Sequence, residues 1–272
     1  MDNTKKLRTL SLCAGYGGVE QGLELIGEAL RVVAYAEIEA YACANLVEKM
    51  EQGELGSAPI WTDLKTLPLE PFRGRIDLLT GGYPCQPFSS AGRRLGKDDP
   101  RHLWSWVCRI IDGVMPRMCF FENVEGHISL GLRQVLSDLE ARGYETKWGI
   151  FSAEECGGAP HRRKRVFILA DRDGRGVPIS TQRGKSSVEM FRGNGEKGRV
   201  KWPSKQGELQ FEWEEPRSVE GKLNPNWVEQ LMGLPVGWTG DGPRADRLRL
   251  LGNGVVPHTA AKAWVVLNKR LR

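Results

Sequence analysis

One cysteine in this chain stands in a setting built for chemistry. Gly81-Gly82-Tyr83-Pro84-Cys85-Gln86-Pro87-Phe88-Ser89-Ser90 follows a short apolar run at residues 76–79. That run reads as a buried strand, and a thiol just past the end of a central α/β strand lies in the crevice where such folds collect their chemistry. Most lone cysteines are small apolar filler. Here Pro84 and Pro87 restrict the backbone on both sides, while Gln86 and Ser89 bring polar groups that a packed core would not accommodate. Cys85 is therefore the candidate nucleophile.

Three further clusters carry chemical meaning. Cys13-Ala14-Gly15-Tyr16-Gly17-Gly18 is a glycine loop, and Glu37 stands about 20 residues further on, the spacing of a nucleoside-cofactor site in which a carboxylate takes the ribose hydroxyls. Alone, such a loop is a weak signal. Phe121-Glu122-Asn123-Val124 puts a carboxylate at a strand end, where a solvated charge is the commoner outcome. His161-Arg162-Arg163-Lys164-Arg165 runs into the apolar stretch at residues 166–169; most such basic clusters are solvated faces or phosphate contacts.

The elements that must position these residues alternate. Residues 7–13 read as a strand broken by glycines, after which Val19, Leu23, Ile26 and Leu30 recur at helical spacing. A strand over 31–36 and a helix over 40–50 complete a βαβ unit, which implies a parallel sheet. Short strands at 76–79, 118–121 and 166–170 follow, with a helix over 103–114 between the first two and segments at 129–142 and 145–151 before the last. From 171 to about 222 the pattern dissolves into Gly, Ser, Lys, Arg and Glu, with Phe191, Trp202, Phe211 and Trp213 interspersed. A linker is one reading; a small irregular domain with a modest aromatic core is the other. Asn224-Pro225 then has the cap-then-proline signature of a helix start, and a final helix spans 259–271.

Composition sets bounds. A chain of 272 residues with 27% charged and 40% hydrophobic residues suits one large domain, alone or with a smaller partner. No stretch is long enough for a membrane span and the N-terminus lacks a signal-peptide pattern, so a cytoplasmic protein without membrane association is expected. The six cysteines form no Cys-x-x-Cys pair, which argues against structural zinc or a disulfide framework; no metal is expected. The net charge of +5 permits an anionic partner, and residues 172–205 concentrate nine Lys/Arg against three Asp/Glu.

In this order, the clusters resemble the cytosine-C5 DNA methyltransferase family. The loop at 13–18 looks like its cofactor-binding motif, and Pro84-Cys85-Gln86 like its catalytic motif. Glu122-Asn123-Val124 and His161 to Arg165 match the next two. Leu231-Met232-Gly233-Leu234-Pro235 and Gly252-Asn253-Gly254-Val255 match the last two. The resemblance implies an α/β, Rossmann-like, mostly parallel sheet domain with a small irregular target recognition domain: residues 1–171 for catalysis and cofactor, 172–235 for recognition, and 236–272 returning to the catalytic domain. It implies S-adenosyl-L-methionine as cofactor, bound by Cys13, Ala14, Gly15, Gly17, Gly18, Glu37, Ile38, Asp63, Leu64, Pro84, Leu103 and Asn253. It assigns Cys85 as the thiolate that adds to cytosine C6, Glu122 as the carboxyl group at N3, and Arg165 as the cation at O2, with Arg163 nearby in support. Gln86, Ser89, Arg93 and Arg94 would meet double-stranded DNA from a loop that closes over a flipped cytosine. A monomer, with room for a companion restriction endonuclease, follows from the same resemblance.

Departures from the family pattern bear on this reading. Cys13 replaces a phenylalanine that contacts the cofactor, which either weakens binding or leaves Tyr16 or Trp104 to fill the space. His161 replaces a glutamine, and Gly254 a serine. The recognition segment is short for the family. Two competing readings are a tRNA methyltransferase of the same family, whose Cys-Phe-Thr signature is absent here, and a catalytically silent DNA-binding homologue, against which intact Cys85, Glu122 and Arg165 argue.

Overall fold

The computed structural model describes residues 6–84, 103–176 and 200–271. Cys85, Gln86, Ser89, Arg93 and Arg94, and most of the basic stretch at 172–205, lie outside these residues.

Strands whose successive side chains are all apolar must be covered on both faces, and that is the arrangement found. Strands β1 (Leu7–Leu12), β2 (Leu30–Ala36), β3 (Ile60–Trp61), β4 (Leu78–Gly81), β5 (Met118–Val124), β6 (Glu145–Phe151) and β7 (Arg165–Asp171) form one sheet in the order β3-β2-β1-β4-β5-β7-β6. Along β5, Cys119 and Phe121 enter one core while Met118 and Phe120 enter the other. The first core is closed by helices α3 (Leu103–Val114) and α5 (Leu132–Glu140), the latter preceded by the single turn α4 (His127–Leu130). The second is closed by α1 (Gly18–Leu25) and by the C-terminal helix, whose Ala260, Ala261, Ala263 and Trp264 pack with Val19 and Leu23 of α1.

Strands β1 to β5 pair in parallel, with the chain reversing direction across the sheet between β1 and β4. Their last residues, Leu12 and Gly81, are register partners. The switch point of the sheet is therefore flanked by the glycine loop after β1 and by Gly82-Tyr83-Pro84 after β4, the place where open α/β sheets bind ligands. The strand expected at 76–79 lies two residues later, because Ile76 and Asp77 serve the approach to the sheet: Asp77 takes hydrogen bonds from the Arg8 backbone and guanidinium. Strand β7 pairs antiparallel with β5 so that its first residue, Arg165, faces Val124, the last of β5. The reversal delivers a cation from a strand start to the end of the sheet where the parallel strands finish.

Helices α2 (Ala40–Glu51), α6 (Ala153–Gly157), α7 (Pro225–Leu231), α8 (Arg244–Asn253) and α9 (Pro257–Leu271) complete the described helices. Asn224 caps α7 as its sequence indicates, its side chain accepting from Asn226 N at 3.0 Å. Between β7 and α7 the described residues form only a two-stranded ribbon, β8 (Ser218–Val219) with β9 (Lys222–Leu223). Among the described residues of this segment, the aromatic side chains do not gather into one core, and Phe191 lies outside the described residues. Trp202 packs beside His258 and donates to Gly157 O, but Phe211 and Trp213 stack on one another at the surface, 51% and 38% exposed.

Helix α8 is held against α7 by a buried ion pair. Glu229, fully buried, accepts from Gly237 N, Thr239 N and the Thr239 hydroxyl, and pairs with Arg247 at 2.9 Å. Arg247→Ala would strand this carboxylate without its cation, which is expected to cost about 3–5 kcal/mol of stability, read as a lowered urea midpoint.

Candidate functional site

A cavity of about 480 Å³ opens at the switch point. Its first wall comes from the β1 and β2 ends. Gly17 ends the glycine loop at φ 77°, a left-handed conformation that suits glycine, and starts α1. The loop is tied to β2 by Glu37, nearly buried, whose Oε2 accepts from Gly15 N at 2.8 Å while Oε1 accepts from Glu39 N at 2.9 Å. Cys13, Gly15, Glu37 and Ile38 line the cavity; Ile38 does so with 73% of its surface exposed, an apolar side chain left for a flat ligand to cover. Ala14, Gly17 and Gly18 shape the turn without lining the cavity. Asp63 and Leu64 also border it, although Asp63 Oδ1 accepts from Lys65 N at 2.9 Å and so caps the short helical turn Leu64–Thr66.

The opposite wall comes from β4, β5 and β7. Gly82, Pro84, Leu103, Glu122, Asn123 and Arg165 meet there. Asn123 Nδ2 donates to Tyr83 O at 2.9 Å, which fixes the strap leading to Cys85. The Tyr83 ring lies among Trp104, Phe121 and His127, with its hydroxyl 3.0 Å from His127 Nε2. Burial lowers the His127 pKa to about 4, so this ring is neutral. Glu122 is 7% exposed and meets Arg165 Nε at 2.9 Å. Burial pushes its carboxyl group up to about 7, outweighing the downward pull of Arg165 and Arg163. A cation and a buried carboxyl group with a raised pKa thus share the cavity wall one residue away from the held strap.

Arg163 does not line the cavity. It stands at φ 32° and donates from Nη2 to Gly252 O and Gly254 O, each at 2.7 Å, gripping the turn that carries Asn253. His161 contacts Leu231 O through Nε2 at 2.7 Å, so the side chain in place of the usual glutamine ties this segment to the end of α7. Neither Tyr16 nor Trp104 lines the cavity. Tyr16 is buried and donates to Val255 O, while Trp104 Nε1 donates to Asp138.

All five described cysteines, Cys13, Cys43, Cys108, Cys119 and Cys156, have thiol pKa values raised chiefly by burial, Cys13 to about 12. None is placed to be a thiolate near neutrality.

Sequence reasoning missed the contribution of α8, whose Asp246, Arg249 and Leu250 join Asn253 on the cavity wall. The signal was present, since these four residues stand at i, i+3, i+4 and i+7, one face of a helix. Their charges hid the stripe from a search for apolar periodicity.

The family model described as C-5 cytosine-specific DNA methylase matches residues 7–205. The chain belongs to the C-5 cytosine-specific DNA methylase family. Relatives within it include the Type II methyltransferase M.NaeI of Lentzea aerocolonigenes, 34% identical over 171 residues covering 61% of this chain and 40% of that protein. The Type II methyltransferase M.HgiCII of Herpetosiphon aurantiacus is 36% identical over 64% of this chain and 39% of its own. The chain thus spans well under two thirds of the length of these methylases. Among solved structures, the S. pombe Dnmt2 methyltransferase superposes with a TM-score of 0.69 at 19% identity, covering 98% of this chain and all of that one. This likeness bears on the fold and supports the Rossmann-like, mostly parallel sheet. No described helix is long and apolar enough to cross a membrane, and no described cluster of His, Cys, Asp or Glu could hold a metal ion.

Proposed function

We propose that this methylase transfers a methyl group from S-adenosylmethionine to C5 of a flipped cytosine in double-stranded DNA, through a covalent bond between Cys85 and C6. The observation that carries the reading is the pairing of Glu122, buried and with a raised pKa, with Arg165 beside the strap that leads into Cys85.

The cavity suits the cofactor. Its volume of about 480 Å³ falls within the range of nucleoside-sized sites. Glu37 would hold the ribose hydroxyls, Ile38 would cover the adenine, Asp63 and Leu64 would border its edge, and Cys13, Gly15, Pro84, Leu103 and Asn253 would complete the walls. The cofactor supplies an electrophilic methyl group on a sulfonium.

The chain's own residues do the rest. Cytosine C5 is a poor nucleophile, and addition of the Cys85 thiolate to C6 makes the C4–C5 side of the ring enamine-like. Electron density moves toward N3 and O2. Glu122 gives N3 a proton, which its raised pKa makes available near neutrality, and Arg165 stabilises charge at O2. Arg163 acts behind them by holding the Asn253 turn. Once C5 carries the methyl group, its proton leaves to a solvent base, the freed electron pair forms the C5–C6 double bond as the Cys85–C6 bond breaks and the thiolate departs, and N3 returns its proton to Glu122.

Residues 172–235 would form the recognition domain and 236–272 would return to the catalytic domain, as the contacts of α9 with α1 support. The Type II names of the relatives support a companion restriction endonuclease as a partner of such an enzyme. Base-resolution conversion sequencing of DNA from a methylation-free host expressing the chain tests the proposal. Protected cytosines in a repeated sequence context are the expected result. An unprotected genome despite folded protein would reject duplex DNA as substrate, and methylation of tRNA in its place would assign the chain to the RNA branch.

A further inference from the structure

Gly254 follows Asn253 on the cavity wall, and its backbone sits at φ −77°, ψ 169°, an extended conformation open to any residue. Nothing in its dihedrals calls for glycine. The demand comes from Tyr16: a Cβ at Gly254 would stand 1.8 Å from Tyr16 Cε1 and 2.4 Å from Cζ. The Tyr16 ring has little freedom to move aside, since it is fully buried and its hydroxyl donates to Val255 O at 2.7 Å. Its backbone carbonyl is held as well, accepting from Gln21 Nε2 at 3.1 Å and Trp238 Nε1 at 3.3 Å. A second close approach lies alongside, where a Cβ on Gly18 would meet Val255 O at 2.3 Å. Arg163 grips the same turn through Gly252 O and Gly254 O.

We infer that Tyr16 and Gly254 are a matched pair of positioning residues that lock the loop after β1 onto the turn carrying Asn253, and so set the width of the cofactor cavity. Tyr16 touches no cavity space itself. It acts by fixing where Gly15 and Asn253, on opposite sides of the clamp, stand relative to one another. The large residue in the glycine loop and the missing side chain after Asn253 are then one feature rather than two.

The inference rests on the cofactor reading above, and titration of the full chain with S-adenosylhomocysteine tests both separately. Gly254→Ser is expected to weaken binding by about tenfold or more, equivalent to ~1.4 kcal/mol for each factor of ten, as overpacking a held site does. Tyr16→Val is expected to weaken it less, and the double variant Tyr16→Val with Gly254→Ser to bind more tightly than Gly254→Ser alone. Tyr16→Phe keeps the ring and should give no such rescue. Melting curves on the same samples distinguish cavity width from general stability: the order of affinities is expected to hold among variants that remain folded at the titration temperature, and if Gly254→Ser unfolds there, the double variant should restore both folding and binding. A wild-type chain that is folded but gives no binding would overturn the cofactor reading and this inference with it. Wild-type binding matched by Gly254→Ser, or a double variant carrying the summed losses, would overturn the inference alone.

Discussion

Replacing Cys85 by alanine is expected to reduce methyl transfer to background while duplex binding is retained. The mechanism has no substitute for this group. The other five thiols have raised pKa values, burial being the main cause, and the only one on the cavity wall, Cys13, is held near 12 beside the Glu37 carboxylate. Loss of a thiol should also leave the approach to the site intact, because the strap before Cys85 is fixed by the Asn123 amide and the packing of the Tyr83 ring, neither of which involves the sulfur. Transfer of labelled methyl groups to duplex DNA, measured beside an electrophoretic shift on the same duplex, separates the two functions. Turnover in the alanine variant would show that another nucleophile acts. Loss of binding together with turnover would give Cys85 a structural role.

The N-terminal part of the chain was legible because its candidate site lies at strand ends, and strand ends are marked by apolar runs meeting glycine, proline or charge. Residues 103–114, 145–151 and the cap at Asn224 were read to within a residue or two of their elements. Four features were not legible, each for a physical reason. The antiparallel pairing of β7 with β5 is a long-range choice that local pattern cannot express, yet it is what brings Arg165 to Glu122. Helix α8 carries its polar stripe toward a ligand cavity, so the usual inference from apolar spacing fails there. Phe211 and Trp213 looked like core because aromatics usually are, but residues 204–217 are held through hydrogen bonds instead: Glu214 accepts from Ser204 N, Phe211 N and Gln210 Nε2, and Arg217 donates to Ser204 Oγ and to the carbonyls of Lys205 and Glu208. Rings on such a scaffold need no burial. The steric bond between Tyr16 and Gly254 was likewise invisible, being a contact across 238 positions of sequence (254 minus 16).

Glu122→Gln is expected to slow methyl transfer by about 10²–10⁴-fold, the usual worth of a general acid, with much less effect on duplex affinity. The pH dependence carries the sharper test. With its pKa at about 7, Glu122 holds the proton required at N3 below that pH and loses it above, so the single-turnover rate of the wild type should fall on the alkaline side of about pH 7. Glutamine cannot titrate, and the variant's residual rate should instead continue to rise with pH as the Cys85 thiol ionises. The same residue leaves a mark on stability. A carboxyl group whose folded pKa is raised from 4.5 to about 7 keeps a proton that the unfolded chain has already released, so folding is favoured as pH falls through 7 toward 4.5. Above about pH 7 the cost of burying the ionised group is fully present. Urea midpoints of the wild type should therefore decline across that window relative to those of Glu122→Gln. Parallel midpoints, together with an alkaline limb that survives the substitution, would mean that a different group controls the proton at N3 and that Glu122 serves only to hold Arg165 in place.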